Sequence, residues 1–361
     1  MAPLAQAPVP AEPRPLPHPT TALPQPPFAV GGVVPPDLLA LRGALISELS
    51  GWMAEGFRVL LTGPRRCGKS SIVLAVAARL RAETVLTVYV DLAAAPTLRD
   101  AAADLLAQCR ALSGGLGLPD PPPAATPEAA FLAALEAPER LAVAARGSAA
   151  LLLDGCDHLA RLGGLDALLS ARPTLLRQQR TGYLLAGAYD AALQSLAGTR
   201  RSPFALPIGL LPPPAEAWRA PLSTRLEAAG VAAADAAAQR LVWRTGGHPY
   251  DLMAACAALV AARPRSRTAG RAAADAAIAT VYPLLQATFA AELAALGPTP
   301  HGFLHRLATG RHLYREAGPP ASIKRAVDTL VAGGMLRRGL RGVYTFTEPL
   351  LAESLAGAPQ Q

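Results

Sequence analysis

The sequence predicts an α/β protein with a mostly parallel sheet in its first half and helices through most of its second half. Five short runs rich in apolar and β-branched residues alternate with helical stretches, at residues 58–62, 84–92, 149–154, 182–187 and 204–210. Strands separated by helices imply right-handed crossovers, which produce a parallel sheet. The chain then ends with three helices and a hairpin (335–338 and 343–347), which is the winged-helix pattern.

The helices are predicted from apolar periodicity and from capping residues. An amphipathic stretch at 37–55 precedes the first strand, and a stretch at 70–80 with one apolar face follows it. Thr97 is a favourable N-cap for a helix that extends to residue 112. Pro138 and Pro173 are expected to interrupt the helical stretches on either side of the third strand. Residues 212–262 show only helical patterns, and 263–270 form a predicted linker.

Composition narrows the class of protein. The 361 residues are enough for two or three domains, and the net charge of +8 hints at an anionic partner. That hint is weak, because only two of the 34 basic residues are Lys and the chain is rich in Ala, Gly and Pro, as a GC-rich coding sequence would make it. The four cysteines are scattered without a CxxC pair, which disfavours a zinc site and a disulfide framework.

Residues 1–27 are predicted to be a disordered tail rich in Pro and Ala. Proline occurs every two or three residues, which prevents helix and sheet, and the apolar run of a signal peptide is missing. Alanine-rich tracts elsewhere are interrupted by Asp, Glu and Arg, so a membrane span is not expected. Together with the cysteine pattern, these features favour a cytoplasmic protein.

A phosphate-binding loop, or P-loop, is predicted between the first strand and the helix that follows it. The segment GPRRCGKSS contains Gly-x-x-x-x-Gly-Lys-Ser, and an accidental match in this composition is on the order of one in a thousand. Glycines let backbone amides curl around phosphates at a helix N-terminus. Lys69 would face solvent in the empty site and reach the β- and γ-phosphates of ATP, while Ser70 would bind Mg²⁺. The expected nucleotide contacts are Gly63, Pro64, Arg65, Arg66, Cys67, Gly68, Lys69, Ser70 and Ser71.

The third strand ends in Asp154, which is a candidate ligand of Mg²⁺. Four apolar residues before an Asp form a weak pattern alone, but behind a P-loop they favour a metal role. The alternative is that Asp154 caps the following helix. Many ATPases of this type have a Glu directly after the Asp to polarise the attacking water, and this chain has Gly155 there. Asp157 and His158 are the next candidates for that catalytic role, and Gly155→Glu is expected to raise hydrolysis.

Three motifs resemble the STAND branch of NTPases, which is related to AAA+ ATPases. The D-G-x-D form at 154–157, the segment TGGHPY at 245–250 and the form of the P-loop are similar to the archaeal/bacterial ATPase family of that branch. The resemblance implies a P-loop NTPase fold with a parallel-sheet core, a helical lid and a winged-helix domain. It divides the chain into a tail at 1–27, an ATPase domain at 28–211, a lid at 212–270 and a winged-helix domain at 271–361.

The resemblance also assigns roles outside the P-loop. His248 and Pro249 would lie at the nucleotide from the lid, although His248 is equally compatible with a helix cap before Pro249 at N1. After the fourth strand the family often has a hydroxyl residue, and this chain has Ala188, which leaves Tyr189 or Asp190 as substitutes. Arg200 and Arg201 lie where the family places an arginine; either could reach a neighbouring subunit's nucleotide or be a solvated loop charge.

Three functions are compatible with these patterns, in decreasing order of support. The first is an ATP-dependent regulatory switch with slow hydrolysis, an ATP-induced homo-oligomer and a separate effector protein. The second is a DNA-associated AAA+ ATPase, with phosphate contacts from Lys324, Arg325, Arg337, Arg338 and Arg341. The third, a P-loop kinase for a small molecule, is disfavoured by the lid, the winged helix and the lack of an evident substrate pocket.

Overall fold

The structure, a computed structural model, describes residues 27–114, 126–159, 161–188, 193, 204, 206–232, 234–262, 270–314 and 319–357. Apart from residues 27 and 270, the predicted tail and the predicted linker lie outside these ranges. The described residues comprise one five-stranded sheet, a two-stranded hairpin and the helices around them.

A five-stranded parallel sheet forms the core of the first half of the chain. Its spatial order is β2-β3-β4-β1-β5. The central strands β3 and β4 are almost fully buried, as expected for a parallel sheet with helices on both faces. The α/β class and the five predicted strands are thereby confirmed. The strands are β1 (Arg58–Gly63), β2 (Leu86–Asp91), β3 (Ala149–Asp154), β4 (Thr181–Ala188) and β5 (Leu206–Gly209).

Helices cover the sheet on both sides. One face carries α1 (Gly43–Ala54) and α2 (Lys69–Ala82). The other face carries α3 (Leu98–Leu112), α4 (Pro127–Leu135), α5 (Ala137–Ala144), α6 (Gly164–Ser170) and α7 (Arg172–Arg177).

Capping and proline positions explain where several of these helices begin. Thr97 caps α3 as predicted, in a reciprocal hydrogen-bonded box with Asp100. The helix predicted at 37–55 begins only at residue 43. Pro36 starts a short 3-10 turn before it, and Leu41 adopts a left-handed φ of +62°.

The second half of the chain is helical up to a final hairpin, as predicted. The antiparallel strands of that hairpin are followed by one more helix. The elements are α8 (Arg219–Ala228), α9 (Asp235–Thr245), α10 (Pro249–Ala261), α11 (Arg271–Ala294), α12 (Pro298–Ala308), α13 (Pro320–Ala332), β6 (Leu336–Arg338), β7 (Tyr344–Phe346) and α14 (Pro349–Ala356).

The hydrophobic core around α8, α9 and α10 continues across the domain boundary predicted at residue 270. Helix α11 contributes Ile278, Tyr282 and Phe289 to it, and α14 contributes Leu350 and Leu351. Helices α12 and α13 share a smaller core with β6. By length and composition alone α11 could cross a membrane, and in this structure it packs against α9 and α10.

The carboxyl ends of β1, β3 and β4 lie near one another at one edge of the sheet. Gly63 at the end of β1 is in register with Ala188 of β4, and Asp154 at the end of β3 is in register with Asp91. Ligands of open parallel sheets bind at this edge, beyond the carboxyl ends of the strands. The fold therefore brings the predicted P-loop and the predicted metal ligand to the same edge.

Residues from the C-terminal half pack directly against the P-loop. Gly334, between α13 and β6, touches Pro64 so closely that a Cβ at residue 334 would lie 2.2 Å from the Pro64 Cγ atom. The Thr347 hydroxyl donates to the Gly334 carbonyl oxygen, which ties this turn to the hairpin. The close approach requires glycine at residue 334.

We expect Gly334→Ala to lower the free energy of unfolding by about 2–5 kcal/mol, because it combines left-handed strain at φ +71° with a clash against Pro64. Gly342→Ala is the matched control, since Gly342 has a φ of +76° and nothing within 4 Å of the added Cβ. The control should lose only about 1–2 kcal/mol. Urea denaturation measures both, and equal losses would show that the Pro64 contact contributes nothing to stability.

Candidate functional site

The loop at residues 63–68 connects β1 to α2 in a conformation suited to phosphate binding. Arg66 and Gly68 have left-handed φ angles of +61° and +86°, and Gly68 is the N-cap of α2. Such turns direct successive backbone amides into a concave surface, and a 14-residue helix adds its dipole behind it. The strand–loop–helix context required of a P-loop is therefore present.

Lys69 begins α2, and its ammonium group folds back onto the loop. Its Nζ atom donates to the carbonyl oxygens of Gly63 at 3.0 Å and Pro64 at 2.6 Å. Burial lowers the pKa of Lys69, and the nearby acidic groups oppose that shift. The ammonium is thus bonded to the loop, whereas the sequence had suggested a solvent-facing group.

Asp154 and Ser70 lie together, as the metal-site prediction requires. The Ser70 hydroxyl is close enough to the Asp154 carboxylate to lower its pKa. That carboxylate accepts hydrogen bonds from the Gly155 amide at 2.9 Å and from the Tyr89 hydroxyl at 3.3 Å. Burial raises the pKa of Asp154, and the hydrogen bonds oppose the shift. A hydroxyl and a carboxylate in contact are hard oxygen donors, so these residues fit Mg²⁺.

Gly155 leaves no unstrained place for a glutamate side chain. Its φ is +68°, and a Cβ would lie 3.0 Å from the Ala93 amide nitrogen and 3.2 Å from the Ala93 Cβ. The backbone conformation at Gly155 therefore disfavours the glutamate that Gly155→Glu, the substitution expected to raise hydrolysis, would introduce.

Asp157 joins three segments of the site. Its Oδ1 accepts a hydrogen bond from the Ala188 amide at 2.9 Å, at the end of β4. Its Oδ2 lies 3.6 Å from the Arg65 guanidinium and 3.9 Å from His158 Nε2. One oxygen is engaged by the main chain and the other faces a cation. The water-orienting role of Asp157 stays a prediction.

A cavity of about 390 Å³ opens beside the P-loop. Four cationic side chains line it, and among the described residues no carboxylate does; the cations are Arg42, Arg66, Lys69 and Arg225. The rest of the wall is largely apolar and includes Val34, Leu38, Leu39, Tyr250 and Met253. A wall of this kind suits a strongly anionic group attached to an apolar ring.

The residues before α1 form one side of the cavity, which the sequence did not predict. The Val34 amide donates to Ser71 Oγ at 2.9 Å, and Arg225 donates to the Leu38 carbonyl oxygen at 3.0 Å. Ser71 therefore contributes mainly by holding this segment against α2. The signal that could have indicated a turn here is the Gly31–Gly32 pair, both with positive φ.

His248 was predicted to contact the nucleotide, and its position does not support this. It is fully buried and does not line the cavity, whereas Pro249 does. Its Nε2 lies 3.7 Å from Cys67 Sγ and 3.3 Å from the Glu348 carboxylate, and its Nδ1 lies 3.4 Å from Asp251. Burial alone would lower the pKa of His248, but the two carboxylates raise it well above its ordinary value. His248 therefore contacts the P-loop rather than the cavity.

The cluster of His248, Asp251 and Glu348 has donor atoms within 4.8 Å of one another, as a metal site would. The Arg66 guanidinium, however, donates to Asp251 at 3.1 Å and to Glu348 at 2.9 Å. A side chain of this protein already supplies the cation. The cluster therefore does not fit a metal ion.

The predicted nucleotide contacts fall into two groups in space. Residues 66–71 line the cavity, together with Pro249. Gly63 and Pro64 instead line a smaller pocket against α13, and Arg65 is exposed beside Asp157. The other residues that the resemblance singled out lie outside the described residues, and their roles stay predictions: Tyr189, Asp190, Arg200 and Arg201.

We expect Gly155→Ala and Gly155→Glu to lower the free energy of unfolding by about 2–4 kcal/mol, because both add a Cβ against Ala93 at positive φ. The control is Gly230→Ala, where φ is +88° and the added Cβ meets nothing within 4 Å, so only about 1–2 kcal/mol is lost. Chemical denaturation compares the three variants. A Gly155→Glu protein as stable as the parent would show that Ala93 and the positive φ do not penalise a side chain at residue 155.

Comparison with known proteins establishes the fold. No family model and no curated protein matches the chain. A Walker-type ATPase of Pyrococcus abyssi is similar in structure, with a TM-score of 0.72 and 15% sequence identity over 91% of this chain and 99% of that chain. Two others have TM-scores below 0.5. Orc1 of Aeropyrum pernix in complex with DNA scores 0.47, with 19% identity over 89% and 94% of the chains. The RuvB branch migration motor of Thermotoga maritima scores 0.44, with 15% identity over 84% and 91%. The chain has the fold of P-loop NTPases.

Proposed function

We propose that the protein binds ATP with Mg²⁺ in this cavity and acts as a slow ATPase that switches conformation with its nucleotide. The observation that carries the proposal is the cavity wall beside the P-loop, where Arg42, Lys69 and Arg225 line the space and no described carboxylate does. A triphosphate has the charge that such a wall compensates. The apolar part of the wall suits the base.

The polar residues at the loop have roles that their positions support. Lys69 exchanges its two carbonyl hydrogen bonds for contacts to the β- and γ-phosphates. Ser70 and Asp154 would hold Mg²⁺, which would supply positive charge to offset that of the triphosphate. The amides at the start of α2 and the helix dipole favour the remaining phosphate charge.

The geometry after β3 favours slow hydrolysis. Gly155 has no side chain to orient water, and an added Cβ would be strained at its positive φ and crowded by Ala93. Asp157 already bonds the Ala188 amide and faces Arg65. A base that is displaced or engaged elsewhere loses much of its positioning advantage. We therefore assign water orientation to Asp157, beside His158, with turnover below about 1 per second.

Contacts between the P-loop and the C-terminal half support a switch. Pro64 packs on Gly334, and Arg66 is paired with Glu292 and Glu348. A ligand that binds one arrangement of these elements better than another shifts the population toward it. The proposal includes a homo-oligomer formed on ATP binding and a separate effector protein in the cytoplasm. We also propose that residues 212–270 form a lid and 271–361 a winged-helix domain.

The alternative function is a DNA-associated ATPase that uses α13 and the hairpin on nucleic acid. Lys324, Arg325 and Arg337 are exposed on these elements, as phosphate contacts would require. Titration with duplex DNA at about 50 and 200 mM salt distinguishes the two functions. Binding that weakens steeply with salt favours the DNA role, and absence of binding at low salt favours the switch.

We expect Lys69→Ala to weaken ATP binding by at least about 100-fold, because loss of one partner of a buried charge pair costs roughly 2–5 kcal/mol. Isothermal titration calorimetry measures the affinity. Lys324→Ala is the matched control, since it removes the chain's other lysine, which is exposed on α13 and does not line the cavity. Unchanged affinity in a folded Lys69→Ala protein would refute the P-loop assignment.

We expect Asp157→Asn to spare ATP binding and reduce hydrolysis by about 100-fold, the usual contribution of a general base. Asparagine keeps an oxygen for the Ala188 amide and replaces the charged oxygen that faces Arg65 with a neutral amide nitrogen. Asp154→Ala should instead impair Mg²⁺-dependent binding and hydrolysis together. Steady-state phosphate release and ATP affinity are measured for each variant. Fast turnover in the parent, undiminished in Asp157→Asn, would contradict the slow-switch proposal.

A further inference from the structure

The side chain of Arg66, a P-loop residue, extends into a buried junction between α10, α11 and the start of α14. Its guanidinium donates to Asp251 of α10 at 3.1 Å and to Glu292 of α11 at 3.2 and 3.3 Å. It also donates to Glu348, the residue before α14, at 2.9 Å. Two aromatic rings flank it, with centroids at 5.1 Å for Tyr250 and 5.5 Å for Phe289.

The Arg66 guanidinium cannot readily leave this junction for a phosphate in the cavity. Burial alone would lower the pKa of Arg66, but Glu348, Glu292 and Asp251 raise it, so the side chain is always cationic. Withdrawing the guanidinium toward a phosphate would leave Asp251, Glu292 and Glu348 with only His248, among the described residues, to compensate their charge. Uncompensated buried charge is strongly unfavourable. The guanidinium is therefore held by the carboxylates while nucleotide binds.

The backbone of the same residue determines the shape of the phosphate loop. Arg66 has a φ of +61°, a left-handed conformation that non-glycine residues adopt only when the surroundings enforce it. The ion pairs of the Arg66 side chain hold its backbone in this conformation. The adjacent Cys67 is also held, because its Sγ lies 3.7 Å from His248 Nε2. One side of the loop thus faces the cavity, and the other is fixed by residues of α10, α11 and the segment before α14.

We propose that Arg66 is a positioning residue, whose ion pairs with Asp251, Glu292 and Glu348 hold the P-loop in its phosphate-binding shape. The inference rests on the proposed ATP binding and adds that this binding depends on a residue outside the cavity. ATP affinity depends on Glu348, a carboxylate that does not line the nucleotide cavity. Because coupling between binding sites is reciprocal, bound ATP in turn stabilises the docking of α14.

The test compares Mg²⁺-ATP affinity with thermal stability in matched variants, by calorimetric titration and thermal melts. Arg66→Ala and Glu348→Gln should each weaken ATP binding about tenfold. The double variant should be no weaker than the worse single variant, because both remove one interaction. Arg66→Lys should have an intermediate ATP affinity. An ammonium keeps the charge but lacks the planar guanidinium's set of donors for several carboxylates.

The control is Glu353→Gln, which breaks a different ion pair of α14, to Arg244 at 2.8 Å. It should lower Tm without changing ATP affinity. If Glu348→Gln does not fold, Glu292→Gln, at the more exposed side of the junction, is measured in its place. Hydrogen exchange gives the reciprocal readout: ATP should slow exchange in α14 of the parent and not of Arg66→Ala.

The outcomes separate this inference from the proposed function. A parent that binds ATP while Glu348→Gln and Glu292→Gln lose only Tm would overturn the positioning role and leave ATP binding intact. Additive effects in the double variant would also overturn it, because they would show that Arg66 and Glu348 act independently. A parent that binds no ATP would overturn both proposals.

Discussion

A buried guanidinium must have its charge compensated, and Arg66 finds its partners far away in the sequence. Its three carboxylates are 185 to 282 residues distant along the chain. The phosphate loop can therefore take its shape only when α10, α11 and the segment before α14 are docked. Gly334 contributes to the same docking separately, because its lack of a side chain lets the C-terminal half approach Pro64. The docking also fits the hydrophobic core that α11 and α14 share with α9 and α10.

Local backbone geometry underlies both parts of the proposed function, nucleotide binding and slow hydrolysis. The loop at 63–68, Lys69 and the Ser70–Asp154 pair present a cationic surface with a hard-oxygen metal position. Directly after Asp154, the positive φ of Gly155 and the nearby Ala93 disfavour a side chain at the position where a glutamate would act. The proposed slow hydrolysis would keep a nucleotide bound for long periods, which suits the proposed switch better than a motor.

The sheet and the P-loop were predictable because their signals are local. Apolar runs gave the five strands, the Gly-Lys-Ser spacing gave the loop, and Thr97 gave a helix start. The role of His248 was not predictable, because a GGHP segment looks the same whether its histidine faces a ligand or a buried carboxylate. The cavity wall before α1 was also missed, since single hydrogen bonds such as Val34 to Ser71 leave no pattern in the sequence.

The most direct test of the account is the stoichiometry and affinity of ATP binding to the purified protein, measured with Mg²⁺ and again with the metal chelated. Sedimentation in the same samples reports the oligomeric state. We expect one ATP per chain, with weaker binding when Mg²⁺ is chelated away from Ser70 and Asp154, as the proposed ATP site requires. Absence of saturable ATP binding in a folded protein would contradict it.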